Sequence, residues 1–209
     1  MTSNKYNLLL NVLRKPDNKV LAMYEYGSHV YGTNVDGSDE DFIVVLSHAR
    51  ETHELIEREN KSFVIHDTTS LQRGIWAHEP YALETFFLPP KRRLKEVESL
   101  IKWDFKLDLR VLRESFSQKA SHSWVKAKKK IEVEADYKRG KKSLFHSLRI
   151  LTFGMQIAQY GKVVDYSAAN EFWWDIYTNP SVKYEDYLKQ FRPIYNGLCT
   201  KFRELAPKG

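Results

Sequence analysis

The sequence predicts an α+β fold, a small mixed sheet with flanking helices, followed by an α-helical bundle. Two observations carry this. Short apolar runs alternate with turn and helix signals over roughly the first ninety residues, as a mixed sheet requires. After "LPPKRR" (88–93) strand alternation stops and 3.6-type periodicity takes over. Two domains are therefore expected, residues 1–92 and residues 93–209, the second completing a shared cleft.

The elements follow in order. "YNLLLNVL" (6–13) reads as a short helix, and "DNKVLAMYEY" as a strand after an Asp-Asn turn. "DFIVVL" (41–46) is apolar on both faces and predicts a central strand, with the acids before it at the exposed end of the sheet. "ETHELIEREN" (51–60) reads as a polar helix or helical loop, and "KSFVIHD" (61–67) as a strand. "TTSLQRGIWAHEP" predicts a helix capped by Thr68 or Thr69, and "YALETFFLPP" a strand closed by two prolines. Helices are expected over 95–131, 137–160 and 184–205. Gly161 is the expected stop of the second, and Ser167 the cap of a short helix after it.

Composition narrows the function classes. Hydrophobic residues at 42% and aromatics at 13% indicate a folded chain rather than a disordered one. No apolar run approaches the ~20 residues that cross a bilayer, and the N-terminal segment lacks a signal-peptide cleavage pattern. One cysteine, Cys199, excludes an internal disulfide and a cysteine-rich metal site, so a cytoplasmic location is expected. The net charge of +6 favours polyanionic partners, and residues 119–142 hold nine Lys or Arg against three acids.

The densest chemistry lies in "EYGSHVYGTNVDGSDEDFIVVL" (25–46). Residues two apart in a strand share a face, so Asp39 and Asp41 are expected to project together while Glu40 points away. Adjacent like charges cost free energy unless a cation neutralises them, and hard oxygen donors suit Mg²⁺ or Mn²⁺. Glycine at 27 lets backbone approach a ligand, and Ser28 offers a hydroxyl and an amide to a phosphate oxygen. Gly32 and Gly37 are read as loop geometry. Other phosphate and metal motifs are excluded: there is no Gly-Lys-Ser/Thr, no G-x-G-x-x-G, and the Gly and Glu of an EF-hand begun at Asp36 are missing.

Gly27-Ser28, ten residues, then Asp39-x-Asp41 and an apolar strand resembles the signature of the DNA polymerase β-type nucleotidyltransferase superfamily, closest to its branch associated with RNA ligases and RNA repair. "HEPYALETFF" and "KKSLFHSLRILTFG" are similar to two further blocks of that branch. The resemblance implies two Mg²⁺ ions held by Asp39 and Asp41, with a third carboxylate on a neighbouring strand. Glu84 in "LETF" is the expected third, and Asp67, ending "KSFVIHD", the alternative. It implies in-line attack of an acceptor hydroxyl on the α-phosphorus of a nucleoside triphosphate, ATP being the expected one.

Three further residues join by helix geometry. Leu144, Leu148, Leu151, Met155 and Ala158 form an apolar stripe, and Lys142, His146 and Arg149 fall opposite it, where a Lys and an Arg could hold β- and γ-phosphates. The competing reading is a solvated face. Phe153 sits on that same side, free to stack on a base or partly covered core. His29 and Tyr31 are candidate nucleotide contacts, Thr33 resembles a family position, and "EFWWDIY" (171–177) reads as a packing cluster. The expected activity is nucleotidyl transfer to RNA, such as a tRNA or a broken RNA end, bound through 119–142. A protein or small-molecule hydroxyl is the alternative acceptor, and a non-catalytic nucleotide-binding or antitoxin-like partner the alternative role.

Overall fold

A computed structural model describes residues 2–48 and 54–207, with side chains from residue 4 onward. Within them the chain is mixed α+β: a five-stranded sheet and eight α-helices. It divides into two compact units, residues 1–76 with 81–106, and residues 77–80 with 107–209.

In the first unit, α1 (Thr2–Leu13) leads into β1 (Val20–Tyr26), the short α2 (Ser28–Tyr31) and β2 (Glu40–Leu46). Strands β3 (Glu54–Arg58) and β4 (Lys61–Asp67) follow, then α3 (Thr68–Trp76), α4 (Pro80–Phe86) and β5 (Arg93–Glu96). The sheet order is β3-β4-β2-β1-β5, with β2 antiparallel to β1 and parallel to β4. Phe42, Val44 and Leu46 face one way, into a core with Tyr6, Leu9 and Leu13 of α1 and Met23, Phe63 and Ile65. Each such buried side chain contributes roughly 1.5–3 kcal/mol. Ile43 and Val45 are equally buried on the other face, so β2 is the expected two-faced central strand.

Three expectations are corrected. "ELIER" is strand, not helix: Glu59 and Asn60 both adopt positive φ (49° and 59°) and fold β3 back on β4 as a tight hairpin. The first three residues of "ETHELIEREN", 51–53, lie outside the described residues. "YALETF" is the helix α4, with Pro80 at its first position, where a missing N–H costs nothing. The long helix expected from 95 begins only at Leu109, because residues 93–96 pair with β1 as β5 and Asp108 caps the helix by accepting the N–H groups of Arg110 and Val111.

The second unit holds α5 (Leu109–Glu132), α6 (Tyr137–Tyr160), α7 (Asn170–Thr178) and α8 (Tyr184–Leu205). Helices α5 and α6 run antiparallel and close together: a Cβ on Gly140 would lie 2.4 Å from Ile131 Cγ1, and one on Gly154 2.9 Å from Phe116 Cδ1. Gly161 ends α6 in the left-handed region, as expected. Ser167 does not cap α7; its hydroxyl donates to Asp165 Oδ1 and Ala169 occupies the cap position. Trp173 and Ile176 of α7 pack inward, whereas Trp174 and Tyr177 are each 44% exposed. No helix among the described residues is long and apolar enough to cross a membrane.

Candidate active site

The antiparallel ladder sets Tyr26, the last residue of β1, opposite Asp41, so the next residue turns directly beside the Asp41 carboxylate. That residue is Gly27, at φ 72° and ψ −155°, a conformation open in practice to glycine alone. A Cβ there would lie 2.0 Å from Asp41 Oδ2. The carbonyl of Gly27 accepts the Val30 N–H at 3.0 Å, starting α2, and Gly32 ends that turn in the left-handed region. Thr33 is buried, and its N–H returns to the Ser28 carbonyl at 3.0 Å. Gly37 supplies a second positive φ before the chain enters β2.

Asp39 is exposed and Asp41 half-buried at the start of β2. The loop before them is anchored by Asn60, whose carbonyl accepts the Glu40 N–H at 3.1 Å and whose side-chain amide donates to the Ser38 carbonyl. Glu40 is engaged elsewhere, by Lys5 at 2.9 Å and Lys61 at 3.9 Å, as its opposite orientation predicts. Lys5 also reaches Glu25, which Arg92 holds from its other oxygen at 2.7 Å. Burial works against ionisation of Glu25, but these two cations hold its carboxyl below the ordinary range.

The acid candidates from elsewhere in the first unit are not gathered with this pair. Asp67 pairs with Leu46 while Asp41 pairs with Ser62, five positions back along the parallel ladder, or roughly 16 Å. Asp67 also sits on the α1 side of the sheet, in register with Leu46, and its carboxylate caps α3 by accepting the Ser70 N–H at 2.6 Å. It therefore does the capping expected of Thr68 or Thr69. Glu84 lies on α4 rather than on a strand, only 1% exposed, and accepts a 2.6 Å hydrogen bond from the Tyr31 hydroxyl. Tyr31 is itself buried and meets Tyr26 edge-on, so it braces the Gly27–Ser28 turn instead of facing outward as a nucleotide contact. His29 is half-buried with Nε2 3.5 Å from the Ser38 carbonyl. Among the described residues no three of His, Cys, Asp and Glu are placed to enclose a metal ion.

Asp39 and Asp41 nevertheless fit a divalent ion of the Mg²⁺ or Mn²⁺ type. They are hard oxygen donors, one of them exposed, with a residue lacking Cβ against the other. Such ions commonly take one or two carboxylates and complete their shell with water and substrate oxygens.

In the second unit, the α6 residues expected on one side are together, but not on a solvated face. Arg149 is buried, with its guanidinium 3.3 Å from His146 Nδ1 and 5.1 Å from the centre of the Phe153 ring. Phe153 is fully buried, not an exposed stacking surface. Burial first, then the charges of Arg149, Lys142 and Lys126, pushes the His146 imidazole down to about 3. Lys126, on α5, was not legible as part of this group, because its membership depends on how the two helices are aligned.

Five of the nine cations of the basic run are paired locally, two of them with the same glutamate. Lys119 pairs with Glu79, Lys128 with Glu132, Lys129 and Lys130 with Glu134, and Arg139 with Asp136. Lys141 donates to the Tyr177 and Asn179 carbonyls at the end of α7.

Comparison with models of known protein families and with curated proteins finds no match to this chain.

Proposed function

We propose that the protein is a metal-dependent nucleotidyltransferase that moves a nucleoside monophosphate from a nucleoside triphosphate, ATP first, to an acceptor hydroxyl. The observation that carries this is the Gly27 backbone set against Asp41 Oδ2 at the start of β2, two residues after the exposed Asp39. A plain surface loop has no use for a glycine-only conformation pressed onto a carboxylate.

In this reading Asp39 and Asp41 hold the divalent ion. When bound, the ion offsets charge on the phosphate oxygens and favours the ionised acceptor hydroxyl. Gly27, having no Cβ, leaves room for the Asp41 carboxylate where it stands, and Ser28 offers its hydroxyl to a phosphate oxygen. The acceptor oxygen forms a bond to the α-phosphorus as it gives up its proton, the bridging α–β bond breaks, and pyrophosphate leaves. Glu84, through Tyr31, keeps the turn in place.

RNA is the preferred acceptor, supported by the resemblance to the RNA-repair branch and the unpaired part of the basic run, and a cytoplasmic location belongs to this reading on the ground of the single cysteine. A second reading, nucleotide binding without catalysis, is favoured by the seclusion of Glu84 and the lack of a three-acid cluster among the described residues.

The test is incubation with Mg²⁺ or Mn²⁺, each α-labelled triphosphate, and separate pools of tRNA, protein and small hydroxyl compounds. Label passes to the RNA pool and is lost in Asp39→Ala and Asp41→Ala. Transfer to another pool changes the acceptor. Metal-dependent binding with no transfer to any pool supports the non-catalytic reading instead.

A further inference from the structure

We propose that Asn60 and His29 are positioning residues for Asp39, holding the main chain on both sides of it and so aiming its carboxylate at the divalent ion. The inference rests on the reading of Asp39 as a metal ligand, and the test below separates the two.

Asp39 needs such a device because nothing holds its side chain directly. The carboxylate is exposed and makes no hydrogen bond or ion pair among the described residues, whereas Glu40 beside it is held by Lys5 and Lys61. The direction of the Asp39 Cα–Cβ bond must therefore come from the main chain. Each peptide group is a rigid plane, and the two planes that meet at a Cα fix that direction.

Asn60 grips both planes. Its main-chain carbonyl accepts the Glu40 N–H at 3.1 Å, which fixes the plane after Asp39. Its side-chain amide donates to the Ser38 carbonyl at 3.3 Å, which fixes the plane before it. Asn60 stands in the left-handed region, φ 59°, at the turn from β3 to β4, where asparagine is among the few tolerated side chains.

The Ser38 carbonyl has a second neighbour, His29 Nε2 at 3.5 Å. A carbonyl oxygen only accepts, so this contact requires the imidazole proton on Nε2. His29 directly follows Ser28, so it ties the Gly27–Ser28 turn to the loop that carries Asp39. Ser38 is also closed from its own loop: its N–H donates to the Val35 carbonyl and its hydroxyl accepts the Val35 N–H, each at 2.9 Å. The short α2, the 35–38 loop and the β3–β4 turn thus converge on the peptide group that enters Asp39.

The test is binding of Mn²⁺ alone to the full chain, followed through the electron paramagnetic resonance signal of the free ion. Asn60→Gly keeps the left-handed backbone and the main-chain carbonyl but loses the amide. It is expected to weaken Mn²⁺ binding by roughly tenfold, the usual scale for losing a group that orients a metal ligand. His29→Ala weakens binding in the same direction, and His29→Gln, which keeps an N–H donor, restores it. Glu57→Gln removes an exposed acid from the same hairpin and leaves the affinity unchanged, so a general charge effect is read apart. Amide exchange at Glu40 in the metal-free chain is faster in Asn60→Gly than in the parent, and thermal melts confirm that each variant folds. Mn²⁺ binding that is absent from the parent, or that survives Asp39→Ala, overturns the metal reading and this inference with it. Binding lost in Asp39→Ala but unchanged in Asn60→Gly and His29→Ala overturns this inference alone.

Discussion

Replacing Gly27 by alanine brings two penalties to one position. The backbone there occupies a region that side chains avoid, at roughly 1–3 kcal/mol, and the new methyl would have to displace the Asp41 carboxylate. Gly27→Ala is therefore expected to lower stability by about that amount in urea titration and to abolish nucleotidyl transfer even in the folded fraction. Tyr31→Phe is a subtler test. It removes one buried donor from Glu84 and should cost about 1–3 kcal/mol. Tyr31→Phe combined with Glu84→Gln should cost less than the two single changes added together, because both remove the same contact. Additive losses would show that the bond does not couple α4 to the turn.

At the scale of elements, Asp67 belongs to α3. Asp67→Ala is expected to lower stability by roughly 0.5–2 kcal/mol, the usual cost of losing a helix cap, while nucleotidyl transfer persists. Loss of transfer in a well-folded Asp67→Ala protein would reinstate it as a chemical residue. The elements around the Gly-Ser turn were legible because local chemistry sets them: apolar runs with turn glycines before β2 leave few alternatives. Those misread owe their form to distant partners. Glu, Leu, Ile and Arg in "ELIER" suit a helix as well as a strand, and pairing with β4 decides. "YALETFF" has the aromatic content of a strand, yet Ala82, Leu83 and Thr85 are all buried on α4. The polar side of α6 was legible as a pattern, but burial of Arg149 and Phe153 depends on neighbours outside α6, such as Tyr166 against the Phe153 ring, which periodicity does not contain.

For the molecule as a whole, His146 ties stability to pH. An unfolded imidazole takes its proton near the ordinary 6.5, whereas the folded one does so only at about 3. Between those values the unfolded state binds the extra proton, so stability is fully present above 6.5 and falls as pH drops. Glu25 acts lower down, its contribution present above the ordinary 4.5 and lost as pH falls through its lowered value. The interval from 6.5 to 4.5 thus separates the two. His146→Gln should flatten the decline of the thermal midpoint there, while Glu25→Gln should leave that interval unchanged. The two margins of the sheet carry a different consequence. Both β3 and β5 are short, and they present Glu54, Glu57 and Arg58 on one side and Arg93, Lys95 and Glu96 on the other. Unpaired strand margins invite other chains to add to them, and charge on a short margin discourages it. Among the described residues the sheet has five strands, and the charge on both margins discourages a further strand from another chain when the protein is concentrated.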